Sequence, residues 1–198
     1  MEMPFSLLKV LDDVKGKNKP PIHLWNPKSV KEIDLVIKKN GDWYYEGGLI
    51  KRHRLVHLFA SVLRLENDDC YYLITPVEKC KIVVEDVPFM MILMDVQGED
   101  KEQEIVLTSN MADTVQVSGK NPIRLVIDAE SGEPTPYIEV RDGLMGKLNR
   151  NVYYQLADLM IQSEIDENTC LGVWSYGDFI SMHSYPIENI DGKDDSFQ

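Results

Sequence analysis

Ile33-Asp34-Leu35-Val36-Ile37 has the β-branched, apolar composition of a strand, and it is almost repeated later in the chain. Ile123-Arg124-Leu125-Val126-Ile127 matches it at four of five positions, ninety residues on. After the first copy, Asn40-Gly41 is a strong hairpin signal, and Trp43-Tyr44-Tyr45 has the composition of the return strand. This order predicts an antiparallel pair of strands at the start of an internal repeat.

The similarity continues through a helix and a further strand in both halves of the chain. Apolar residues at helical spacing predict a helix over 51–65, and a strand follows at 71–75. In the second half, Tyr137 to Leu144 takes the place of the first return strand, and a helix with the same apolar stripe follows. Val173-Trp174-Ser175 then corresponds to the closing strand.

The region between the two copies has a different pattern. Four apolar runs, separated by turn-rich stretches, predict strands at 81–84, 89–96, 104–108 and 114–117. Such closely spaced strands are typical of an antiparallel meander. The run from Phe89 to Met94 is apolar at every position, which predicts a central strand covered on both faces.

These patterns predict an α+β fold made of two tandem, diverged strand–strand–helix–strand units with an antiparallel meander between them. The predicted organisation is an N-terminal helix and linker at 1–21, a first repeat with the meander at 22–119, and a second repeat at 120–185. An acidic tail at 186–198 is expected to be disordered, because it is too polar to bury a core.

Charge and cysteine content limit the classes of partner and the cellular compartment that are expected for this protein. The formal net charge is −12, which argues against a nucleic-acid partner because phosphate binding needs a basic surface. Residues 1–54 carry 11 Lys/Arg and 7 Asp/Glu, whereas the remainder carries 10 and 26. Three cysteines without a C-x-x-C motif fit reduced thiols. With no apolar run long enough to span a membrane, these features predict a cytoplasmic protein without a membrane partner.

The familiar catalytic and cofactor motifs are missing from the sequence, so no cofactor is predicted. His53 and His57 have the spacing of a zinc-binding helix, but Arg54 stands where such a helix carries its general base. A helical projection places both histidines opposite the apolar face, which favours solvated side chains. Ser175-Tyr176-Gly177 follows a strand and is interpreted as a turn rather than a nucleophile elbow.

Eight residues are candidates for binding a ligand. Arginines at the two strand-to-helix junctions suit planar anion recognition, although pairing with carboxylates across the repeat interface is the favoured alternative. Glu78 and Lys79 lie at a predicted sheet end, where they could bind a ligand or be solvated. The full set is Trp43, Glu46, Arg52, Arg54, Glu78, Lys79, Arg141 and Arg150.

Several long segments also resemble one bacterial family, domain of unknown function 1285. They include Gly41 to Gly47, Tyr71 to Lys79, Leu148 to Tyr154 and Gly172 to Ser175, and the resemblance covers about 22–182. It departs at Gly177-Asp178-Phe179, where a more apolar run is expected. The resemblance implies a cytoplasmic bacterial protein with an α+β fold, and it supplies no activity and no site residues.

Three functions remain open at this point. The first is a non-enzymatic binding or regulatory module, with signalling as one role, which takes a small anionic ligand or a protein partner between the two repeats. The second is a hydrolase that uses carboxylates such as Glu46, Glu78 or Asp86, which would have to face one another in one pocket. The third is a structural homodimer that assembles through exposed sheet edges.

Overall fold

The computed structural model describes residues 20–129, 132–165 and 168–186. The first half of this structure is a six-stranded sheet with one helix. Its strands lie in the order β3-β2-β1-β6-β5-β4, with β1 and β6 parallel and the other neighbours antiparallel. The elements are β1 (Ser29–Ile37), β2 (Trp43–Tyr45), β3 (Gly48–Leu49), α1 (His53–Ser61), β4 (Leu63–Leu65), β5 (Tyr71–Ile74) and β6 (Glu78–Val84).

The second half contains another six-stranded sheet, a helix and a three-stranded sheet. The larger sheet has the order β10-β11-β12-β7-β8-β9, and β7 runs parallel to β12. Its strands are β7 (Phe89–Gln97), β8 (Glu104–Ser109), β9 (Thr114–Gln116), β10 (Arg124–Ile127), β11 (Pro134–Arg141) and β12 (Leu144–Leu148). Helix α2 (Arg150–Asp158) leads into the antiparallel sheet of β13 (Ile161–Ile165), β14 (Asn168–Ser175) and β15 (Asp178–Pro186).

Two hydrophobic cores hold these layers together. The first packs α1, through residues such as Phe59, against the inward face of the first sheet. The second packs α2 and the three-stranded sheet, through Leu156 and Val173, against the larger second sheet. Val140 contacts both cores. The α+β class is therefore confirmed, with strands predominating and only two α-helices among the described residues.

Three tight hairpins share one turn chemistry. Glu46-Gly47, Asp142-Gly143 and Tyr176-Gly177 all have positive φ at both positions, which is the signature of a type I′ turn. The Tyr176-Gly177 pair confirms that Ser175-Tyr176-Gly177 is a turn. At the first two sites a strand leading directly into a helix is expected from the sequence, but the short strands β3 and β12 come before the helices.

The predicted helix at 51–65 is wrong at its C-terminal end. Helix α1 ends at Ser61, and Leu63–Leu65 instead forms strand β4, which pairs with β5. The apolar residues of this segment fit both periodicities over so short a span. Pairing with β5 satisfies their backbone groups and places Leu63 in the first core.

The four predicted meander strands do not form one meander. Strand β6 pairs with β1 and β5 in the first sheet, whereas β7, β8 and β9 pair in sequence and join the second sheet through β12. The residues from 89 to 116, grouped above with the first repeat, thus hydrogen-bond within the second sheet.

Strand β7 is central in its sheet, but it is covered on one face only. Phe89 and Met91 are buried, whereas Ile92 and Leu93 are 41% and 58% exposed. The register shifts between Met91 and Leu93, so a bulge turns two successive apolar side chains outward. The expectation of two covered faces is therefore wrong for this strand.

Two predicted segments lie outside the described residues. They are the N-terminal helix within 1–21, of which only residues 20 and 21 are described, and the acidic tail from 187 onward.

Candidate functional site

Arg141 lies at the junction of the two halves, where protein groups surround its guanidinium. Its Nη2 donates a hydrogen bond to the Ala60 carbonyl oxygen at 2.6 Å, and its Nη1 lies 3.5 Å from Asp113 Oδ2. The guanidinium also stands 4.8 Å from the centroid of the Phe89 ring. These contacts join the end of α1 to the second sheet.

The other candidate arginines occupy separate elements. Arg52 is the N-cap residue of α1, and Arg54 is exposed on the first turn of that helix. Arg150 is exposed at the start of α2, where its Nε donates a hydrogen bond to the Tyr154 hydroxyl at 2.8 Å. Glu46 is exposed in the β2–β3 turn. The contacts of Arg141 and Arg150 have no residue in common.

Glu78 and Lys79 face different partners on β6. Glu78 is 5% exposed, and its Oε2 lies 2.5 Å from the Lys31 ammonium. Lys79 pairs with Glu66, which also pairs with Arg64, and the Lys79 ammonium lies 4.5 Å from the centroid of the Tyr72 ring. Both residues therefore belong to paired charge networks of the first sheet.

Trp43 is enclosed in the first core. Its side chain is 1% exposed and stacks on Phe59 with a ring separation of 6.2 Å. The indole Nε1 is buried without a hydrogen-bond partner. The residue serves packing in this structure, because its ring is not presented to solvent.

The three carboxylates of the hydrolase alternative do not converge. Glu46 lies in an exposed turn, and Glu78 pairs with Lys31. Asp86 accepts a hydrogen bond from the Tyr137 hydroxyl at 3.0 Å and lies 3.1 Å from the Lys147 ammonium. Each carboxylate thus has its own environment, and their contacts have no residue in common.

The two histidines of α1 are both exposed, as expected for solvated side chains. Within 20–129, 132–165 and 168–186, no group of three or more His, Cys, Asp or Glu side chains is arranged to hold a metal ion.

One concave surface with charged and aromatic lining was not among the predicted sites. Two adjoining cavities, of about 370 and 570 Å³, share Glu99, Asp100, Ile161 and Trp174. We call their combined lining the Trp174 groove. It also includes Val96, Gly98, Lys101, Glu102, Gln103, Asp158 and Leu159.

The β7–β8 connection, residues 98–103, forms one wall of the Trp174 groove. Gly98 has φ +75°, and a Cβ there would lie 2.7 Å from the Glu102 carbonyl oxygen, so the tight bend requires glycine. Asp100 also has positive φ, at 53°. Gln103 then fixes the loop to β14, because its side-chain amide donates to the Trp174 carbonyl at 2.5 Å and its own carbonyl accepts from the Tyr176 amide.

Trp174 supplies an aromatic surface that already faces a cation. Its indole packs at 64° against Phe179 with a ring separation of 5.5 Å. The Lys101 ammonium lies 5.1 Å from the Trp174 ring centroid, within the range in which the negative face of an indole attracts a cation.

Carboxylates and apolar side chains complete the Trp174 groove. Glu99, Asp100, Glu102 and Asp158 are all exposed, and Ile161 is 48% exposed. Since these four acids outnumber Lys101, the lining has an excess of negative charge. Such a surface attracts cationic groups and disfavours anions.

Two family models together match residues 20–182 of this chain. The N-terminal domain model of the DUF1285 family matches residues 20–87, and the C-terminal domain model matches residues 88–182. The chain belongs to the DUF1285 family. The boundary between the two DUF1285 domains falls in the segment that connects β6 to β7, so each six-stranded sheet lies within one domain.

The chain is also similar to solved structures of DUF1285 family proteins. One, from Silicibacter pomeroyi DSS-3, is 39% identical, with a TM-score of 0.79, and the match covers 90% of this chain and 94% of that one. Another, from Shewanella baltica OS155, is 27% identical, with a TM-score of 0.49, and covers 64% of this chain and 91% of that one. The comparison with curated proteins finds no match.

The Trp174 groove lies entirely within the DUF1285 C-terminal domain. Its lining comes from the end of β7, the β7–β8 connection, the end of α2, the start of β13 and Trp174 near the end of β14. No helix among the described residues is long and apolar enough to cross a membrane.

Proposed function

We propose that this protein is a binding module that holds a cationic group in the Trp174 groove. One observation carries the proposal: the Trp174 ring faces the Lys101 ammonium at 5.1 Å in a groove whose two adjoining cavities are together lined by four exposed carboxylates. The ligand would be a small cation or a cationic side chain of a partner protein. The cavities have the size of small-ligand pockets, which span roughly 300–1,000 Å³.

The chemistry of the lining favours a cation over the anion expected from the arginines. An indole face attracts a cation with about 0.5–1 kcal/mol at an exposed site and more when the pair is desolvated. The carboxylates add a long-range attraction that raises the association rate and weakens with salt. The chain's net charge of −12 acts in the same direction.

An anionic ligand between the repeats stays a prediction with less support. Arg141 already contacts Ala60, Asp113 and Phe89, and Arg150 contacts Tyr154. A ligand that joined the candidate arginines would have to replace these contacts.

The proposal includes the view that the chain contains two diverged copies of one unit. The order of three strands, a helix and three strands occurs from β1 to β6 and again from β10 to β15. The copies differ in pairing, because β13–β15 form their own sheet, whereas β4–β6 continue the first one. In the sequence, the β7–β8 connection falls between the two copies. It packs beside α2, β13 and β14, so only the second copy contributes to the Trp174 groove.

A regulatory or signalling role, a cytoplasmic location and a homodimer formed through sheet edges are further parts of the proposal that rest on composition and topology. A cation-binding groove requires none of them. The binding experiment therefore tests the groove alone, and its result does not depend on these further parts.

Titration of the protein with cations of different shape tests the proposal. The probes are L-argininamide, L-lysinamide and tetramethylammonium, with citrate as an anionic comparator, and binding is followed in every variant by the NMR shifts of the backbone amides of the β7–β8 connection, residues 98–103. The variants Trp174→Phe and Trp174→Leu form a graded series, since a benzene ring retains part of the attraction for cations that leucine lacks. We expect affinity to fall from Trp to Phe to Leu.

Circular dichroism and thermal unfolding of both variants establish that the fold is retained. Equal cation binding by the wild-type protein and Trp174→Leu would contradict the proposal. A response to citrate alone would also contradict it and would favour the anion site.

A further inference from the structure

Building on the proposed function, we infer that the Trp174 groove selects a guanidinium group and that Lys101 is an internal competitor for the same face of Trp174. Lys101 belongs to the groove lining and places its ammonium 5.1 Å from the ring centroid. An incoming cation that used this face would meet a site already filled by the protein's own side chain. Binding would then require the Lys101 side chain to move away.

The covalent tether makes Lys101 an effective competitor. Its ammonium is confined near the ring by the β7–β8 connection, which corresponds to a high local concentration of a weak ligand. The connection itself is well fixed, through Gln103 to the backbone of Trp174 and Tyr176. The lysine side chain is exposed and has a flexible four-carbon stem. Its ammonium can therefore move away from the Trp174 ring while the backbone stays in place.

The competitor also indicates which ligand can displace it. A free ammonium group offers the same interaction as Lys101 without the tether, so it competes poorly. A guanidinium is planar and more weakly hydrated, stacks on aromatic faces, and presents paired donors that match carboxylates. The Trp174 groove supplies both partners, an indole face oriented by Phe179 and the exposed carboxylates Glu99, Asp100, Glu102 and Asp158.

Lys101 therefore lowers the affinity of the groove for every cation by the same factor. The preference for a guanidinium comes from the indole face and the carboxylates, which favour cations with stronger stacking and bidentate hydrogen bonds. The guanidinium could belong to a free metabolite or to an arginine side chain of a protein. A free compound and a peptide with the same group distinguish these sources.

The test compares wild-type protein with Lys101→Gln and with the matched control Lys51→Gln. Both substitutions remove one positive charge from an exposed lysine, but Lys51 lies in the N-terminal domain before α1. The probes are L-argininamide, L-lysinamide and a blocked Gly-Arg-Gly tripeptide. Their dissociation constants are measured by NMR titration at fixed ionic strength.

We expect L-argininamide to bind the wild-type protein more tightly than L-lysinamide. Lys101→Gln should tighten the binding of both about 2- to 5-fold, the range that corresponds to one exposed cation–π contact. Lys51→Gln should change the dissociation constants of L-argininamide and L-lysinamide only by the small general effect of removing one positive charge from the protein. A tighter complex with the tripeptide than with L-argininamide would assign the site to a protein partner, and the reverse order would assign it to a free compound.

Different results overturn the two proposals. If wild-type protein binds these cations through Trp174 but Lys101→Gln has the same affinity as Lys51→Gln, or a lower one, Lys101 is no competitor and only this inference fails. Preference for L-lysinamide in the wild-type protein would refute the guanidinium selectivity. If none of the probes binds either the wild-type protein or Lys101→Gln, the proposed function fails as well.

Discussion

The guanidinium of Arg141 and the carbonyl oxygen of Ala60 form a hydrogen bond of 2.6 Å that connects the two DUF1285 domains. Ala60 lies in the last turn of α1, where helix carbonyls lack partners within the helix. The Val62 amide at the C-cap is also directed to this carbonyl, and the Arg141 cation adds a charged donor to it at a buried helix end. Its stacking on Phe89 adds a contact on the second domain's side.

Arg141→Met should destabilise the protein because it removes this donor and leaves the Ala60 carbonyl buried. Hydrogen bonds to charged groups contribute about 1.5–3 kcal/mol, so we expect a loss of about 2 kcal/mol in the free energy of unfolding. Urea denaturation followed by circular dichroism measures it. The control is Arg124→Met on strand β10, where the side chain is exposed. Equal stabilities of the two variants would show that the junction contact contributes nothing.

Gly172→Ala should be strongly destabilising. A Cβ at this position would lie 2.2 Å from the Ile180 carbonyl oxygen, which belongs to the paired strand β15 and cannot move alone. Overpacking of this kind costs about 1–3 kcal/mol. At Gly119 a Cβ would meet the Asp178 carboxylate, the movable end of a side chain, so Gly119→Ala should cost less. Thermal unfolding of both variants compares them, and the opposite order would contradict the packing at Gly172.

Glu66 should contribute a stability that depends on pH. Burial opposes its ionisation, but hydrogen bonds from Lys79 and Arg64 outweigh burial and hold the pKa of the Glu66 carboxyl below its ordinary value of 4.5. Because the folded-state pKa is depressed, the contribution is complete above the ordinary value and is lost as pH falls through the lower one. Glu66→Gln should lower the free energy of unfolding by about 1–2 kcal/mol at pH 7.

The difference between the wild-type protein and Glu66→Gln should shrink as pH falls below 4.5, as measured by urea denaturation from pH 7 to pH 3. Glu164→Gln, at an exposed position of β13, provides the control. A difference that is constant over this range would rule out the charge of Glu66 as the cause.

The elements that were predictable from the sequence are those with strong local signals. Asn40-Gly41 indicated the β1–β2 hairpin, and the structure places Gly41 at φ +85° with its amide bonded to the Lys38 carbonyl. The strands β3 and β12 gave no such signal, because β3 has only two residues and both follow turns that resemble the end of a strand. Strands β6 and β7 are consecutive in the sequence but belong to different sheets. Their pairing partners are distant in the sequence, and local patterns do not encode such pairing.

The candidate site was less predictable than the fold. Arg141 was a candidate because of its place at a strand-to-helix junction, whereas its contacts with Ala60 and Phe89 follow from three-dimensional packing. Lys101 and Trp174 are far apart in the sequence, and nothing in either segment indicates that the β7–β8 connection meets β14. The cluster of charges around Gly98 was the only available signal, and turns commonly carry such charges.

Tyr137 should stabilise the junction through Asp86, which precedes the boundary between the DUF1285 domains. The Tyr137 hydroxyl donates to Asp86 Oδ1 at 3.0 Å, and Lys147 contacts the other carboxylate oxygen. Tyr137→Phe removes the donor and should lower the free energy of unfolding by about 1–2 kcal/mol at pH 8, since the acceptor is charged and partly buried. Tyr154→Phe, whose hydroxyl contacts Arg150 at the surface, should have a smaller effect.

The stabilisation by Tyr137 should disappear at high pH. Burial and the hydrogen bond to Asp86 raise the pKa of Tyr137 from 10.0 to about 12. A pKa that is raised on folding gives a contribution that is complete below the unfolded-state value and is lost as pH rises through the folded-state one. The difference between the wild-type protein and Tyr137→Phe should therefore narrow between pH 10 and pH 12 in urea denaturation. A difference that grows over this interval would mean that ionised Tyr137 is tolerated beside Asp86, and the contact would have to be reassigned.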